Sequence, residues 1–146
     1  MKVFLTGTTG FVGAALLDRL VADEVEVLAL VRKEAVSLPV DVNQVVADLL
    51  YLSDVDAGFL NGVDVVVHAA ARAHIMRDEV ADPLAEYRRV NRDATLVLAR
   101  LAADAGVKRF VFVSSIGVNG NLNTRPFSET DEPHPHDAYS LSKYEA

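Results

Sequence analysis

The residues near the end of the sequence could move a proton. Tyr139 and Lys143 stand four positions apart in the stretch DAYSLSKYEA, so a helix would place both side chains on one face. A free phenol has a pKa of about 10 and is a poor base at neutral pH, whereas an ammonium group beside it favours the phenolate. The two residues could therefore act as an acid and base pair, although the same spacing also suits an ordinary pair of surface side chains.

A third polar side chain, Asn91, falls on an apolar helical stripe. The segment 83–105 has helical periodicity, and Asn91 lies four positions after Tyr87 and seven before Leu98 on its apolar side. This position turns the amide toward the protein interior, where it needs hydrogen-bond partners. A structural role and a catalytic role are both open for Asn91.

Three glycines, Gly7, Gly10 and Gly13, lie in the stretch TGTTGFVG between an apolar run and an amphipathic segment. Glycine lets the backbone turn sharply and lets a pyrophosphate approach the N–H groups of a helix N-terminus, where the helix dipole favours negative charge. The same glycines would also suit a tight turn without a ligand. Because the motif follows the first predicted strand of a βαβ pattern, we predict that it binds a dinucleotide.

Alternating strands and helices must position these residues. The apolar runs mostly lack period-two alternation, which is typical of parallel strands buried on both faces. Their alternation with amphipathic segments predicts a doubly wound parallel sheet of about five strands in the order 3-2-1-4-5. The predicted strands are residues 2–6, 25–31, 44–47, 63–70 and 109–115, and the predicted helices are residues 11–23, about 50–60, 83–105 and a final short helix after residue 137.

The long predicted helix carries clear signals at both ends. Asp82 suits the N-cap, Pro83 suits the first helical position, and Gly106 follows the last turn. The segment 117–137 is rich in proline and asparagine and predicts a loop. The final helix after this loop is short, so it must depend on tertiary packing.

Composition argues against several classes of protein. The 146 residues suit one domain, and the net charge of -7 without a cluster of Lys and Arg argues against a nucleic-acid partner. No apolar run approaches the roughly 18 residues that suggest a membrane span. The sequence has no cysteine, which suits a reducing compartment, and its first residues lack the pattern of a signal peptide. We therefore expect a cytoplasmic protein.

The four histidines do not predict a metal site. His68 and His74 flank an alanine-rich strand end, while His134 and His136 lie in the proline-rich loop, and no carboxylate cluster of ligand spacing accompanies them. We expect no metal. A serine hydrolase is not indicated either, because the sequence has no GxSxG motif.

Five motifs in one order resemble a known family. TGTTGFVG, HAAA at 68–71, Asn91, the serines at 114–115 and YSLSK are similar to the extended short-chain dehydrogenases/reductases, in particular the NAD-dependent epimerase/dehydratase branch that acts on nucleotide-sugars. The resemblance covers the whole chain. It implies a Rossmann domain that moves a hydride and a proton at a sugar carbon. The longer phrases RFVFVSSIGVNG and DAYSLSKYEA look most like UDP-sugar 4-epimerases and 4-ketoreductases.

The resemblance implies a role for each candidate catalytic residue. Tyr139 would be the acid and base, and Lys143 would favour its phenolate and hold the nicotinamide ribose. Ser115, with Ser114 as the neighbouring candidate, would hydrogen-bond the reacting oxygen. Asn91 would support the active-site geometry and a water linked to the lysine.

The resemblance also implies a cofactor site, for NAD or NADP. Val31 occupies the place where NAD-selecting relatives carry an acid, and Arg32 after it favours NADP, although a merely solvated arginine leaves NAD open. Asp48 would contact the adenine amino group, or cap the next short helix. The full predicted cofactor set is Gly7, Thr9, Gly10, Phe11, Val12, Gly13, Arg32, Asp48, Leu49, Ala69, Ala70, Ala71, Asn91, Val113, Tyr139 and Lys143.

The resemblance implies a larger enzyme. Residues 1–146 are expected to be the dinucleotide-binding domain, with the domain that binds a UDP-sugar absent, so that the 146 residues alone turn over little. A homodimer is expected of the full-length protein. Two other classes stay open: a dinucleotide-binding module that senses redox state without catalysis, and a small αβ interaction domain.

Overall fold

The apolar runs predicted as strands form one sheet. The computed structural model describes residues 1–35, 38–73 and 80–146. Within these residues five parallel strands pair in the order β3-β2-β1-β4-β5, as predicted. The strands are shorter than some of the predicted runs: β1 (Lys2–Thr6), β2 (Glu26–Val31), β3 (Asn43–Val46), β4 (Val65–His68) and β5 (Arg109–Phe112).

Helical segments connect the strands close to the predicted places. The predicted helix at 83–105 is continuous, but a π-helical segment interrupts its α-helical hydrogen bonding between α2 and α3, which the periodicity did not predict. The predicted segment near 50–60 consists of two 3₁₀ turns. The elements are α1 (Phe11–Ala22), the 3₁₀ turns Leu49–Asp54 and Ala57–Leu60, α2 (Pro83–Tyr87), the π-helical segment Arg88–Asp93, α3 (Ala94–Asp104), the 3₁₀ turn Ile116–Val118 and α4 (Ala138–Tyr144).

The predicted end signals of the long helix are confirmed. Asp82 accepts a hydrogen bond from the Ala85 N–H at 3.0 Å, and Pro83 occupies the first turn. Gly106 adopts a left-handed backbone with φ of +74° just after α3. These local features define both ends of the longest helical segment, which carries Asn91.

Two apolar clusters cover opposite faces of the sheet. Alternate residues of β1 and β2 point to opposite sides, so Phe4 and Leu28 join one cluster while Leu5 and Ala29 join the other. The first cluster includes residues of α3 and of the two 3₁₀ turns between β3 and β4, and the second includes Leu17 of α1. The sheet is therefore doubly wound, with α1 on one side and α3 on the other.

The two edge strands, β3 and β5, depart from the expectation that each strand is buried on both faces. Val46 of β3 keeps 57% of its surface exposed, and Val111 of β5 keeps 39%. Along the part of the chain that the structure describes, no helix has the length and apolar character needed to cross a membrane.

The carboxyl ends of β1, β4 and β5 place Thr6, His68 and Phe112 in one row. Thr6 of β1 pairs with His68 of β4, and His68 pairs with Phe112 of β5. Binding sites of doubly wound sheets lie beyond this edge, because the loops that follow the strands meet there. The loops that follow these three strands carry several of the predicted site residues.

Candidate active site

The glycine motif forms a tight loop between β1 and α1. Gly7 has a φ of +76°, and a Cβ there would lie 2.7 Å from the Ala70 backbone nitrogen. A Cβ on Gly13 would lie 2.0 Å from the Gly7 carbonyl oxygen, and the Gly10 N–H donates to that oxygen at 2.9 Å. Gly7 and Gly13 are thus required by backbone packing, whether or not the loop also holds a ligand.

The N-terminus of α1 has the features of an anion site. Its N-cap, Gly10, makes no side-chain capping bond, and Phe11 and Val12 are 95% and 52% exposed. The hydroxyl of Thr8 is buried and has no hydrogen-bond partner among the described residues. Thr8 lines a cavity of about 220 Å³, whose other lining residues are Thr9, Ala14, Leu17, Asp18, Leu38 and Pro39. An orphaned hydroxyl beside an uncapped helix start fits a polar, negatively charged ligand.

The other predicted cofactor residues follow the strand ends. Arg32 is exposed directly after β2, and the alanines 69–71 follow β4. Asp48 accepts a hydrogen bond from the Leu50 N–H at 3.0 Å, so the capping role considered for it is confirmed. The Leu49 side chain packs in the core. The Val113 N–H donates to the His68 carbonyl at 3.0 Å and continues the ladder between β4 and β5.

The short helix α4 depends on tertiary contacts, as expected. Asp137 caps it by accepting from the Ser140 N–H at 2.6 Å, and Ser140, Ser142 and Lys143 are buried. Its end is held by an ion pair in which Arg88 donates to both carboxylate oxygens of Glu145, at 2.7 and 2.5 Å. These contacts dock α4 on α2 and the π-helical segment.

Tyr139 and Lys143 lie on α4 in different environments. The Tyr139 ring packs edge-to-face on Tyr87 with centroids 6.2 Å apart. Lys143 is 3% exposed, and its Nζ lies 3.8 Å from the centre of the Phe112 ring, within the range of a cation–π contact. Burial lowers the pKa of Lys143 to about 8, because desolvation disfavours the ammonium. The lysine is therefore held at the carboxyl end of β5.

Asn91 lies inside the π-helical segment and joins two parts of the site. Its Oδ1 accepts from the Arg72 N–H at 2.8 Å, and its Nδ2 donates to the Arg72 carbonyl at 3.1 Å and to the Ser142 Oγ at 3.0 Å. Ser142 in turn donates to the Tyr139 carbonyl at 2.7 Å. The amide is satisfied by the loop after β4 and by α4, so its structural role is clear.

Ser115 begins the 3₁₀ turn after β5. Its hydroxyl accepts from the Gly117 N–H at 3.2 Å, and the residue is half-buried, whereas Ser114 is exposed. A Cβ on Gly117 would lie 2.6 Å from the Ser140 Oγ, so this turn packs directly against α4. Ser115 and Tyr139 therefore belong to neighbouring segments at the same edge of the sheet.

His68 was considered as a possible metal ligand, and the structure shows it as a buried hydrogen-bonding residue. It is fully buried, with hydrogen bonds from its ring nitrogens to Thr6 and Thr95 at 2.7 and 2.9 Å. His134 and His136 lie in the loop before α4, and His74 lies outside the described residues. Within the described ranges no group of three or more metal-ligating side chains comes together. The absence of a metal stays a prediction.

Sequence reasoning missed four residues that organise the site. Thr6, Thr95 and Ser142 are buried polar residues, and Phe112 supports the lysine. Thr95 could have been found because it follows Asn91 by four positions on the same helical face. Each of the other three has a partner on a distant segment, which no local pattern marks.

The buried histidine predicts a loss of stability in acid. Burial, and then the positive charge of Lys143, lower the pKa of His68 from 6.5 to about 4. Between these values the unfolded chain binds the extra proton, so the free energy of unfolding falls as the pH is lowered, by about 3 kcal/mol in all. Urea unfolding at several pH values from about 7 to about 4 measures this loss.

The matched variant for this measurement is His68→Gln, whose amide can donate and accept but does not titrate in this range. Carboxylates contribute equally to both proteins, so the wild type should lose about 3 kcal/mol more than the variant. Equal losses would contradict the assignment to His68.

Comparisons with known proteins agree with this architecture. Residues 3–146 match the model of the NAD dependent epimerase/dehydratase family. The UDP-glucose 4-epimerase of Vibrio cholerae is 43% identical over 147 residues, which cover 99% of this chain and 44% of that protein.

Two solved structures have the same fold as this chain. The UDP-glucose 4-epimerase of Thermus thermophilus in complex with NAD superposes with a TM-score of 0.81 at 28% identity, covering 99% of this chain and 48% of that one. MoeE5 in complex with UDP-glucose and NAD superposes with a TM-score of 0.83 at 28% identity, covering 99% and 46%. The chain thus spans less than half the length of these relatives.

Proposed function

Since this chain belongs to the NAD-dependent epimerase/dehydratase family, we propose that it is the cofactor-binding part of an enzyme that oxidises and reduces a carbon of a nucleotide-sugar. One observation carries the proposal: the loop after β1 and the buried Lys143 lie at the same edge of the sheet. Lys143 packs on Phe112, Phe112 stacks on His68, and His68 bonds Thr6, which directly precedes the loop. A dinucleotide lying across this edge would touch both.

The residues present fit a nicotinamide dinucleotide. The N–H groups of the loop and of the first turn of α1 would hold the pyrophosphate, because no side chain caps them and the helix dipole favours its charge. Asp48 would face the adenine, and Lys143 would hold the nicotinamide ribose. Bound NAD would supply the hydride acceptor. Relatives solved with NAD support this choice.

The proton chemistry would belong to the chain itself. Tyr139 would take the proton from a sugar hydroxyl and return it, and the ammonium of Lys143 would favour the phenolate form. Ser115 would hydrogen-bond the same oxygen from the turn after β5. Asn91 would keep α4 in position through Ser142, to which it donates at 3.0 Å.

A UDP-sugar is the substrate that the relatives' names support, since two of them are UDP-glucose 4-epimerases and one structure holds UDP-glucose. Epimerase and 4-ketoreductase are both covered by the proposal. The homodimer and the cytoplasmic compartment stay predictions.

The test uses the full reading frame that contains these 146 residues. The purified protein is assayed with NAD, NADP and several UDP-sugars, and the absorbance of the reduced nicotinamide is followed with the sugar products. We expect sugar-dependent reduction or epimerisation. Dinucleotide binding without any sugar-dependent change would instead support the non-catalytic sensor. A protein that binds no dinucleotide would support the small αβ interaction domain.

The choice between NAD and NADP is tested at Arg32. If its guanidinium meets a 2′-phosphate, Arg32→Asp should weaken NADP by about 10- to 100-fold more than NAD, the size of a charged hydrogen bond. Titration of both dinucleotides by calorimetry measures the two affinities. Lys33→Asp is the matched control, because it makes the same charge change one exposed position later. Equal losses for both cofactors in Arg32→Asp would contradict the proposed selectivity.

A further inference from the structure

A buried row of hydrogen bonds connects the loop after β4 with the π-helical segment. The Ala70 N–H donates to the Thr6 Oγ1 at 3.1 Å, and Thr6 bonds the His68 Nδ1 at 2.7 Å. On the other side of the ring, His68 Nε2 bonds the Thr95 Oγ1 at 2.9 Å, and Thr95 donates to the Asn91 carbonyl at 2.6 Å. The row therefore ends on the residue that holds α4.

The partners of these groups favour one direction for the donors. Thr95 donates its proton to the Asn91 carbonyl, so its oxygen must accept from a protonated His68 Nε2. Thr6 accepts from the Ala70 N–H and is left with its own proton to give to Nδ1. Each hydroxyl then donates once and accepts once, and the imidazole is neutral with its proton on Nε2.

The charge of Lys143 reinforces the neutral ring. Phe112 stacks on His68 with centroids 5.8 Å apart, and the Lys143 Nζ packs against Phe112. An imidazolium at His68 would repel the buried ammonium, and its Nδ1–H would take away the acceptor of the Thr6 hydroxyl proton. Lys143 is the charged group whose field acts on His68.

We propose that His68 is a positioning residue: as a neutral Nε2–H imidazole between Thr6 and Thr95, it sets the π-helical segment at Asn91 and thereby the placement of α4 with Tyr139 and Lys143. This inference rests on the function proposed above. A π-helical turn is rare and is often found at functional sites. Here the bond from Thr95 to the Asn91 carbonyl anchors that turn.

The sharpest variant is Thr95→Val, which keeps the shape of the side chain and removes the hydroxyl. In the full-length enzyme its kcat should fall about 10- to 100-fold, because misplacement of catalytic groups is costly, while KM and dinucleotide affinity stay within about threefold. Thr95→Ser restores the hydroxyl and should recover most of the lost kcat. An unchanged kcat in Thr95→Val beside an active wild type would overturn the inference and leave the proposed function standing.

A second measurement does not depend on turnover. The ¹⁵N shifts of the His68 ring at neutral pH should identify a proton on Nε2 and none on Nδ1, and an Nδ1–H tautomer or an imidazolium would overturn the inference. Amide hydrogen exchange of Thr95→Val should accelerate in the π-helical segment and α4 but not in α1, on the opposite face. Equal acceleration everywhere would overturn the inference, because it would mean a merely structural role.

These measurements separate the two claims. A wild type that neither binds a dinucleotide nor turns over a sugar would refute the proposed function. The tautomer of His68 and the exchange pattern of Thr95→Val would still test whether His68 positions α4. If Thr95→Val does not fold, His68→Leu provides the same comparison, because leucine can bond neither Thr6 nor Thr95. Its kcat should fall with KM unchanged, and an unchanged kcat would overturn the inference.

Discussion

Replacing Tyr139 by phenylalanine should lower the turnover of a nucleotide-sugar by about 100- to 10,000-fold, the usual contribution of a general acid or base. The ring that packs on Tyr87 is kept, so α4 should stay docked and the dinucleotide affinity should change little. The hydroxyl that exchanges the proton is the group that is lost. Steady-state kinetics on the full-length enzyme, with cofactor binding measured in parallel, test this expectation.

Tyr144→Phe is the matched control for Tyr139→Phe. Tyr144 belongs to the same helix, is 53% exposed and has no role in the proposed site. The same removal of one oxygen should leave turnover nearly unchanged. Activity retained by Tyr139→Phe would mean that another group moves the proton.

The second large effect is expected at Gly13. An alanine there would place its Cβ 2.0 Å from the Gly7 carbonyl oxygen, and the clash is with backbone that cannot rotate away. Gly13→Ala should therefore push α1 away from the loop, lower the free energy of unfolding by about 3 kcal/mol and abolish detectable dinucleotide binding. Urea unfolding and calorimetric titration with NAD measure both effects.

Ala15→Ser provides the comparison for Gly13→Ala. It adds a single heavy atom on an exposed position of the same helix, so both quantities should change little. If Gly13→Ala kept the stability and the NAD affinity of the wild type, the close packing of α1 on the loop would not be needed for binding.

Most of the fold could be predicted because its signals are local. The apolar runs, the glycines at 7, 10 and 13, and the cap at Asp82 are each contained within a few neighbouring residues. Alternation of strands and helices then leaves few topologies, since crossovers between parallel strands are right-handed. The strand order 3-2-1-4-5 follows the same expectation and is confirmed.

The edge strand and the π-helical turn could not be predicted in the same way. β5 has an apolar sequence like the buried strands, yet the exposure of Val111 depends on its place at the edge of the sheet and on what covers that face, which is a property of the assembled fold. The π-helical segment has ordinary helical periodicity. Its extra width accompanies contacts that Asn91 and Thr95 make with other elements.

The candidate site residues could be proposed from the order of amino acids alone: Tyr139 and Lys143 at helical spacing, a glycine loop after the first strand, and an asparagine on an apolar stripe. How these residues are held became visible only in the folded chain. Thr6 and His68 are 62 positions apart, and Asn91 and Ser142 are 51 apart, yet each pair shares a buried hydrogen bond. Spacing along a chain defines a helical face within a few residues, whereas the partner of a buried polar group depends on strand register and helix docking, which form only when the whole sheet is assembled.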